Sequence, residues 1–429
     1  NNANATELFM QELWHNVNSP LSILILQIIS IIFFGKIFGF LCKKIRQPTV
    51  IGEIVAGIVL GPSVVGRLFP QLSAFVFPPQ SLQTLQFLSQ IGLLMFMFII
   101  GLELNVKMLK DKGRQAVVIS HASIIFPYFL GVLLSYFLYN RFAPTAISFV
   151  AFSLFMGIAM SITAFPVLAR IIQERNLTTT ALGAMAITCA AADDVTAWCI
   201  LAVVVAIVKA GSIVNALFTI GLAIGYVTFM MYAVRPLLRK MGVRYAVNDN
   251  LTKTAIAFMF VLLLVSSYLA EVIGIHALFG AFLAGVIVPE TLNMKQKLIE
   301  KIEDVSIVLL LPLFFVLTGL RTQIGLLNTG ELWLVCGVII LVAVAGKFLG
   351  SSLTARVVGL SWKDALSIGA LMNTRGLMEL IVLNIGYDLG ILSPEVFAMM
   401  VLMALATTCM TGPSLDLINH FFRKKEVSG

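Results

Sequence analysis

The chain has 429 residues, of which 59% are hydrophobic and 12% charged, with a formal net charge of +8 and a mean hydropathy of +0.99. A soluble domain carries about a quarter charged residues, so a water-soluble globule is excluded and a polytopic membrane protein is indicated. The basic excess lies in short loops, which removes the need for a nucleic-acid partner, and the five cysteines lie in or beside apolar segments without metal-ligand spacing.

Hydropathy predicts an all-α integral membrane protein of 13 transmembrane helices. Span 1, 20–42, contains Lys36, whose stem reaches the interface. Span 2, 48–67, carries the run GEIVAGIVLGP from Gly52 to Pro62, with Glu53 close to the preceding basic loop. Span 3, 81–102, ends in FMFIIGL. Span 4, 116–139, leads to span 5, 147–171, which is interrupted by SITAFPVLAR with Ser161, Thr163 and Pro166. Span 6, 180–208, holds the adjacent Asp193 and Asp194 and no other charge. Span 7, 212–233, and span 8, 252–270, precede span 9, 275–291, which carries GAFLAGVIVP from Gly280 to Pro289. Span 10, 304–320, ends in FFVLTGL, and span 11, 332–355, holds Lys347 between glycines. Span 12, 364–386, is interrupted by MNTRGLMEL, with Asn373, Thr374, Arg375, Gly376 and Glu379. Span 13 covers 395–418.

The distribution of Lys and Arg orients these spans. With the N-terminus outside, 22 of the 29 fall in cytoplasmic segments, four (Arg67, Arg141, Lys209 and Arg321) in external ones, and three (Lys36, Lys347 and Arg375) within spans. A multi-pass protein of a bacterial inner or plasma membrane with a cytoplasmic C-terminus is therefore expected.

The glycine motifs of spans 2 and 9 match, as do the ends of spans 3 and 10 and the interruptions of spans 5 and 12. Each pair is seven helices apart, an odd number, so spans 1–6 and 8–13 read as inverted repeats, joined by span 7 (212–233) as a linker helix. Discontinuous helices at matching positions of two halves mark a transporter's binding site. Irregular backbone at that depth must line a cavity or be buried in protein.

Asp193, Asp194, Lys347 and Arg375 stand near the midpoints of their spans. Ionisable residues at the bilayer centre are costly and mark a function. Neighbouring helical residues point about 100° apart, so the two aspartates face different surroundings. One can pair with Lys347 while the other faces a water-filled cavity. Partial burial lets that second carboxylate hold either a proton or a small cation. Na+, K+ or Li+ would complete its shell with hydroxyls such as Thr163 and Ser161. Arg375 would compensate the carbonyl ends of a half-helix, and Glu379, one turn on, would pair with it. No enzyme chemistry and no cofactor are expected beyond the transported cation and proton. Two other classes fit less well. A sodium-coupled organic-anion symporter could use Lys347 and Arg375 for a carboxylate, but two aspartates would repel it. A gated potassium efflux pathway would need a filter-like run, which is not seen.

The stretches RQPTVIGEIVAGIVLGPS, SITAFPVLARIIQE, AADDVTAW, GIHALFGAFLAGVIVP and LMNTRGLMELIVLNIG occur in order and together resemble the cation:proton antiporter-2 family. The wording is similar to the plant-type cation/proton exchangers and their bacterial relatives, which usually have Asn-Asp where this chain has Asp193-Asp194. The double aspartate instead resembles electrogenic sodium/proton antiporters. That resemblance implies the sodium/proton antiporter fold, with two discontinuous crossing helices and a homodimer in the lipid bilayer. It implies Asp194 as the cation- and proton-binding residue and Asp193 as the partner of Lys347. It also implies a dimer domain made of 20–102 and 252–320, and a core transport domain made of 116–208 and 332–418. The core would move like an elevator to give alternating access.

Overall fold

The computed structural model describes residues 2–103, 113–164, 167–168, 171–172, 175–177, 180–245, 252–289 and 294–428, with side chains at all of these except residues 2–5, 113, 191, 194, 195, 213, 242–245, 377 and 424–428. Pro166 and the side chain of Asp194 thus lie outside the described residues. Among the described residues the regular structure is helical throughout. Nine helices among the described residues are long and apolar enough to cross a membrane, and others of the apolar helices are shorter. In hydrocarbon every backbone polar group must be satisfied within the protein, which a helix does by itself.

In chain order the helices used below are α1 (Asn2–Val17), α2 (Pro20–Lys44), α3 (Thr49–Leu60), α4 (Pro79–Glu103), α5 (Gly113–Phe142), α6 (Phe149–Ser161), α7 (Ala181–Ala210), α8 (Ile213–Phe229), α9 (Lys253–Ile273), α10 (Ala277–Ile287), α11 (Leu311–Arg321), α12 (Gly330–Val344), α13 (Gly350–Val357), α14 (Trp362–Met372), α15 (Leu377–Asp388) and α16 (Pro394–Ser428). A π-helical turn, Ala345–Leu349, joins α12 to α13. Side-chain caps set many of the starts. Ser148 accepts from the Ala151 N–H at 3.2 Å, Thr180 from Gly183 at 3.0 Å, and Ser361 from Asp364 at 3.1 Å.

The chain forms two units, one of Asn1–Leu93 with Asp304–Gly325, the other of Leu94–Glu303 with Leu326–Gly429. In the first, the glycines of the span 2 motif set the packing. A Cβ on Gly52 would lie 2.4 Å from the Phe38 carbonyl oxygen of α2, and one on Gly57 would lie 2.1 Å from that of Val316 in α11. Gly319 answers from α11, where a Cβ would lie 2.3 Å from the Ile54 oxygen. In the second unit the span 9 motif makes contacts of the same form. A Cβ on Gly280 would lie 2.3 Å from the Ser266 oxygen of α9, and one on Gly285 would lie 2.2 Å from that of Phe98 in α4. Gly101 answers from α4, 2.2 Å from the Phe282 oxygen. Without a hydrophobic drive between helices in lipid, such close backbone approach is what supplies the packing energy.

Candidate functional site

Two interruptions meet in the second unit. Helix α6 stops at Ser161, and Ile162 is already extended (φ −75°, ψ 136°). Helix α14 stops at Met372, and regular helix resumes only at Leu377. Between them the Ala164 N–H donates to the Thr374 carbonyl at 3.1 Å, so the two irregular stretches touch. Gly376 has φ +157° and ψ −126°, a region that residues with a side chain avoid. A Cβ there would also lie 3.0 Å from Val167 Cγ2.

Asp193, wholly buried on α7, is surrounded by donors from three other segments. Ser120 Oγ donates to its Oδ1 at 2.9 Å. Its Oδ2 accepts from Ser123 Oγ at 3.0 Å, Thr163 Oγ1 at 2.7 Å and Lys347 Nζ at 2.9 Å. Lys347, also wholly buried, donates in addition to Ser123 Oγ at 2.9 Å and Thr163 Oγ1 at 2.6 Å. An ammonium has three N–H donors and all three are used. Each bridging hydroxyl accepts from the lysine and donates to the carboxylate, so the charged pair is satisfied without water. Thr163 Oγ1 is also 3.2 Å from the Met372 carbonyl at the end of α14.

Local sequence explains how Lys347 reaches this place. Lys347 lies in the π turn, a feature common at functional sites. Its glycine neighbour Gly346 packs so closely on α5 that a Cβ would lie 2.8 Å from Pro127 Cα, and one on Gly350 would lie 2.9 Å from Phe126 Cβ. These contacts bring the lysine side chain against the Ser120–Ser123 face of α5.

Arg375 and Glu379 form a second buried pair, with NH1 3.2 Å from Oε2. The guanidinium also donates from NH1 to the Ala159 carbonyl at 3.2 Å and from NH2 to that of Met160 at 2.7 Å. Those two carbonyls belong to the last turn of α6, which the break leaves without intrahelical partners and with negative partial charge. The Arg375 carbonyl itself accepts from Thr408 Oγ1 of α16 at 2.5 Å.

The residues singled out from sequence therefore divide. Asp193, Thr163 and Lys347 come together. Arg375 and Glu379 pair beside the α6 terminus. Ser161 turns away: its hydroxyl donates to the Gly157 carbonyl at 2.7 Å and lies 3.1 Å from that of Ile124. The backbone of Asp194 continues α7, and its side chain lies outside the described residues. Glu53 is buried in α3, in the other unit. Sequence reasoning missed Ser120 and Ser123. Their signal was two hydroxyls three apart in VISHASIIFP, on one face of an apolar helix. Among the described residues no group of three or more His, Cys, Asp and Glu side chains could hold a metal ion.

The profile described as sodium/hydrogen exchanger, transmembrane, matches residues 29–419. The Na+/H+ antiporter NhaS4 of Synechocystis sp. is 43% identical over 396 residues, covering 92% of this chain and 97% of that one. Cation/H+ antiporter 17 of Arabidopsis thaliana is 42% identical, covering 92% of this chain and 48% of its own length. The K+/H+ antiporter 1 of Saccharomyces cerevisiae is 32% identical, covering 94% and 47%. The chain thus spans about half the length of these plant and yeast relatives. Among solved structures, the sodium proton antiporter MjNhaP1 of Methanocaldococcus jannaschii superposes with a TM-score of 0.61 over 91% of this chain and 95% of that one. Sequence identity there is 15%, so this likeness concerns the fold.

Proposed function

Since the chain belongs to the sodium/hydrogen exchanger family, we propose that it is a secondary transporter, not an enzyme, that exchanges a monovalent cation for protons across a membrane. The observation that carries this reading is the buried Asp193–Lys347 pair, closed by Ser120, Ser123 and Thr163 where two interrupted helices meet. The pair is electrically neutral and has no donor left over. A second carboxylate one residue on, about 100° around the helix, then supplies the net negative charge that a cation or a proton can neutralise. Asp194 is that carrier in this proposal, and Thr163 completes the cation's shell once its contact with Lys347 loosens.

Two aspartates and one lysine favour electrogenic exchange, and the relatives name both Na+ and K+. The proposal extends to 13 spans in two inverted repeats, a dimer domain of 20–102 with 252–320, and a core of 116–208 with 332–418 that moves as an elevator. The matching glycine contacts, Gly57 with Gly319 and Gly285 with Gly101, support the repeat. The homodimer and the orientation with the N-terminus outside belong to the same reading. Against an organic-anion symporter stands the engagement of the two cations buried among the described residues, Lys347 with Asp193 and Arg375 with Glu379. A gated potassium efflux pathway would conduct without moving protons.

The test is exchange in proteoliposomes holding a proton gradient, read by internal pH while Na+, Li+ and K+ are added in turn. The expected result is proton release on adding one or more of them, abolished in Asp194→Asn. Silence with all three cations would overturn antiport. Unchanged release in Asp194→Asn would overturn the carrier.

A further inference from the structure

The N-terminal helix α1 presents an apolar face that its own unit leaves largely exposed. Drawn on a helical wheel, Phe9, Met10, Leu13, Trp14 and Val17 fall within an arc of about 140°. Thr6 lies within the same arc, and Glu7, Gln11, Glu12, His15 and Asn16 occupy the remainder together with Leu8, itself 63% exposed. All five apolar side chains of the arc are exposed, from 41% at Leu13 to 65% at Trp14. A patch of this size left in water is rare in a soluble surface and marks an interaction site.

Its position says what covers it. Only Asn18 and Ser19 separate α1 from Pro20, the first residue of a 25-residue apolar helix that can cross a membrane. The chain is broken there. The Asn18 side chain donates to the Trp14 carbonyl at 2.7 Å, closing α1, and Ser19 caps α2 through the Ser22 N–H at 3.3 Å. The C-terminal end of α1 is therefore held at the mouth of a membrane span. Beside it, Trp14 stacks on Phe75 with ring centroids 6.3 Å apart. Phe75 belongs to the short helix Pro70–Val76, whose Leu72 is 53% exposed, with Phe69 60% exposed just before it. Aromatic residues at the end of a span are the ordinary anchors of a membrane–water interface. The charges on α1 are Glu7 and Glu12, with no Lys or Arg, so attraction to anionic headgroups is not the driving force.

From this we infer that α1, with the Phe69–Val76 segment beside it, is an interfacial anchor that lies along the bilayer surface at the N-terminal end of α2. It seats its Phe9–Leu13–Trp14 face at the headgroup–acyl boundary, and the occupant of the patch is lipid. This inference does not rest on the transport activity and can hold or fail independently of it.

The test uses the full chain in liposomes and reads Trp14. Replacing Trp198, Trp333 and Trp362 with Phe leaves Trp14 as the single tryptophan. The difference spectrum between the otherwise unaltered chain and Trp14→Phe gives the same signal should the triple variant not fold. Lipids brominated near the headgroup or near the chain terminus serve as quenchers. The expected result is blue-shifted emission, quenched about twofold more strongly by the shallow label, as a face about 5–10 Å into the headgroup–acyl boundary requires. Quenching should be the same in zwitterionic and anionic vesicles. Water-like emission insensitive to either label would overturn the proposal in favour of a solvated helix. Blue-shifted emission that neither label quenches would overturn it in favour of a protein partner, such as a second copy of the chain. Quenching that appears only in anionic vesicles would overturn apolar anchoring.

Discussion

Lys347 Nζ lies 2.9 Å from Asp193 Oδ2, and both side chains are wholly buried. The two residues are 154 positions apart, on α7 and on the π turn after α12. Taking two charges out of water costs several kcal/mol per ion, and only good geometry with further hydrogen bonds repays it. Here Ser120, Ser123 and Thr163 provide those bonds. The stability of the pair therefore depends on both partners being present.

Removing one charge should cost more than removing both. Lys347→Met or Asp193→Asn alone is expected to destabilise the fold by about 3–5 kcal/mol, because the other charge is left buried and unpaired. The combination of Asp193→Asn with Lys347→Met should regain most of that loss. Thermal unfolding of the four proteins in one detergent gives the coupling energy directly. Strictly additive losses would show that the two residues do not act as a pair.

Ser123 and Ser120 should differ. Ser123 bridges both members of the pair, whereas Ser120 donates to Asp193 Oδ1 alone. Ser123→Ala leaves a lysine N–H and a carboxylate oxygen each one partner short, at a cost of about 1–3 kcal/mol. Ser120→Ala should cost less, and Ser123→Thr should recover part of the loss. Unfolding midpoints in detergent order the three variants.

Gly346 and Gly337 provide a matched pair on one membrane span. A Cβ on Gly346 would meet Pro127 Cα at 2.8 Å, whereas one on Gly337 meets nothing within 4 Å. Gly346→Ala is expected to push the span off α5 and draw Lys347 away from Ser123, with loss of exchange in proteoliposomes. Gly337→Ala should leave exchange and folding unchanged, or raise stability by up to about 1 kcal/mol through helix propensity. Equal effects at the two positions would remove the close approach as the reason for the glycine.

Gly376 should tolerate no side chain. Its φ of +157° with ψ −126° is essentially a glycine conformation, and Val167 stands 3.0 Å from where a Cβ would be. Gly376→Ala is expected to cost about 1–3 kcal/mol and to disturb the contact between the Ala164 N–H and the Thr374 carbonyl. Hydrogen exchange at Ala164 reports that contact, and protection equal to wild type would contradict the expectation.

Much of the site was legible in the sequence. Asp193, Lys347 and Arg375 announced themselves because a charge in a long apolar run has no cheap explanation. The interruptions at Ser161–Thr163 and Asn373–Gly376 were legible because poor membrane residues clustered at mid-span. Ser120 and Ser123 were not, because a serine in an apolar helix ordinarily bonds the carbonyl one turn back and signifies nothing. Ser161 does just that, bonding Gly157, while Thr163, two residues on, turns to Asp193. The hydroxyls are chemically alike. The change of backbone direction at Ile162 decides which of them faces the carboxylate.

The chain by itself determined that it crosses a membrane many times, where its helices break and which charges sit deep. These follow from hydropathy and charge, which belong to each segment whatever its neighbours do. The Asp193–Lys347 pairing and a half-helix role for Arg375 were expected, but only the tertiary structure decided that the carbonyls Arg375 serves are those of Ala159 and Met160, and that two serines of α5 close the pair. Those facts depend on the rotation and approach of helices far apart in sequence. Glycines such as Gly346 set that approach by letting one backbone rest against another.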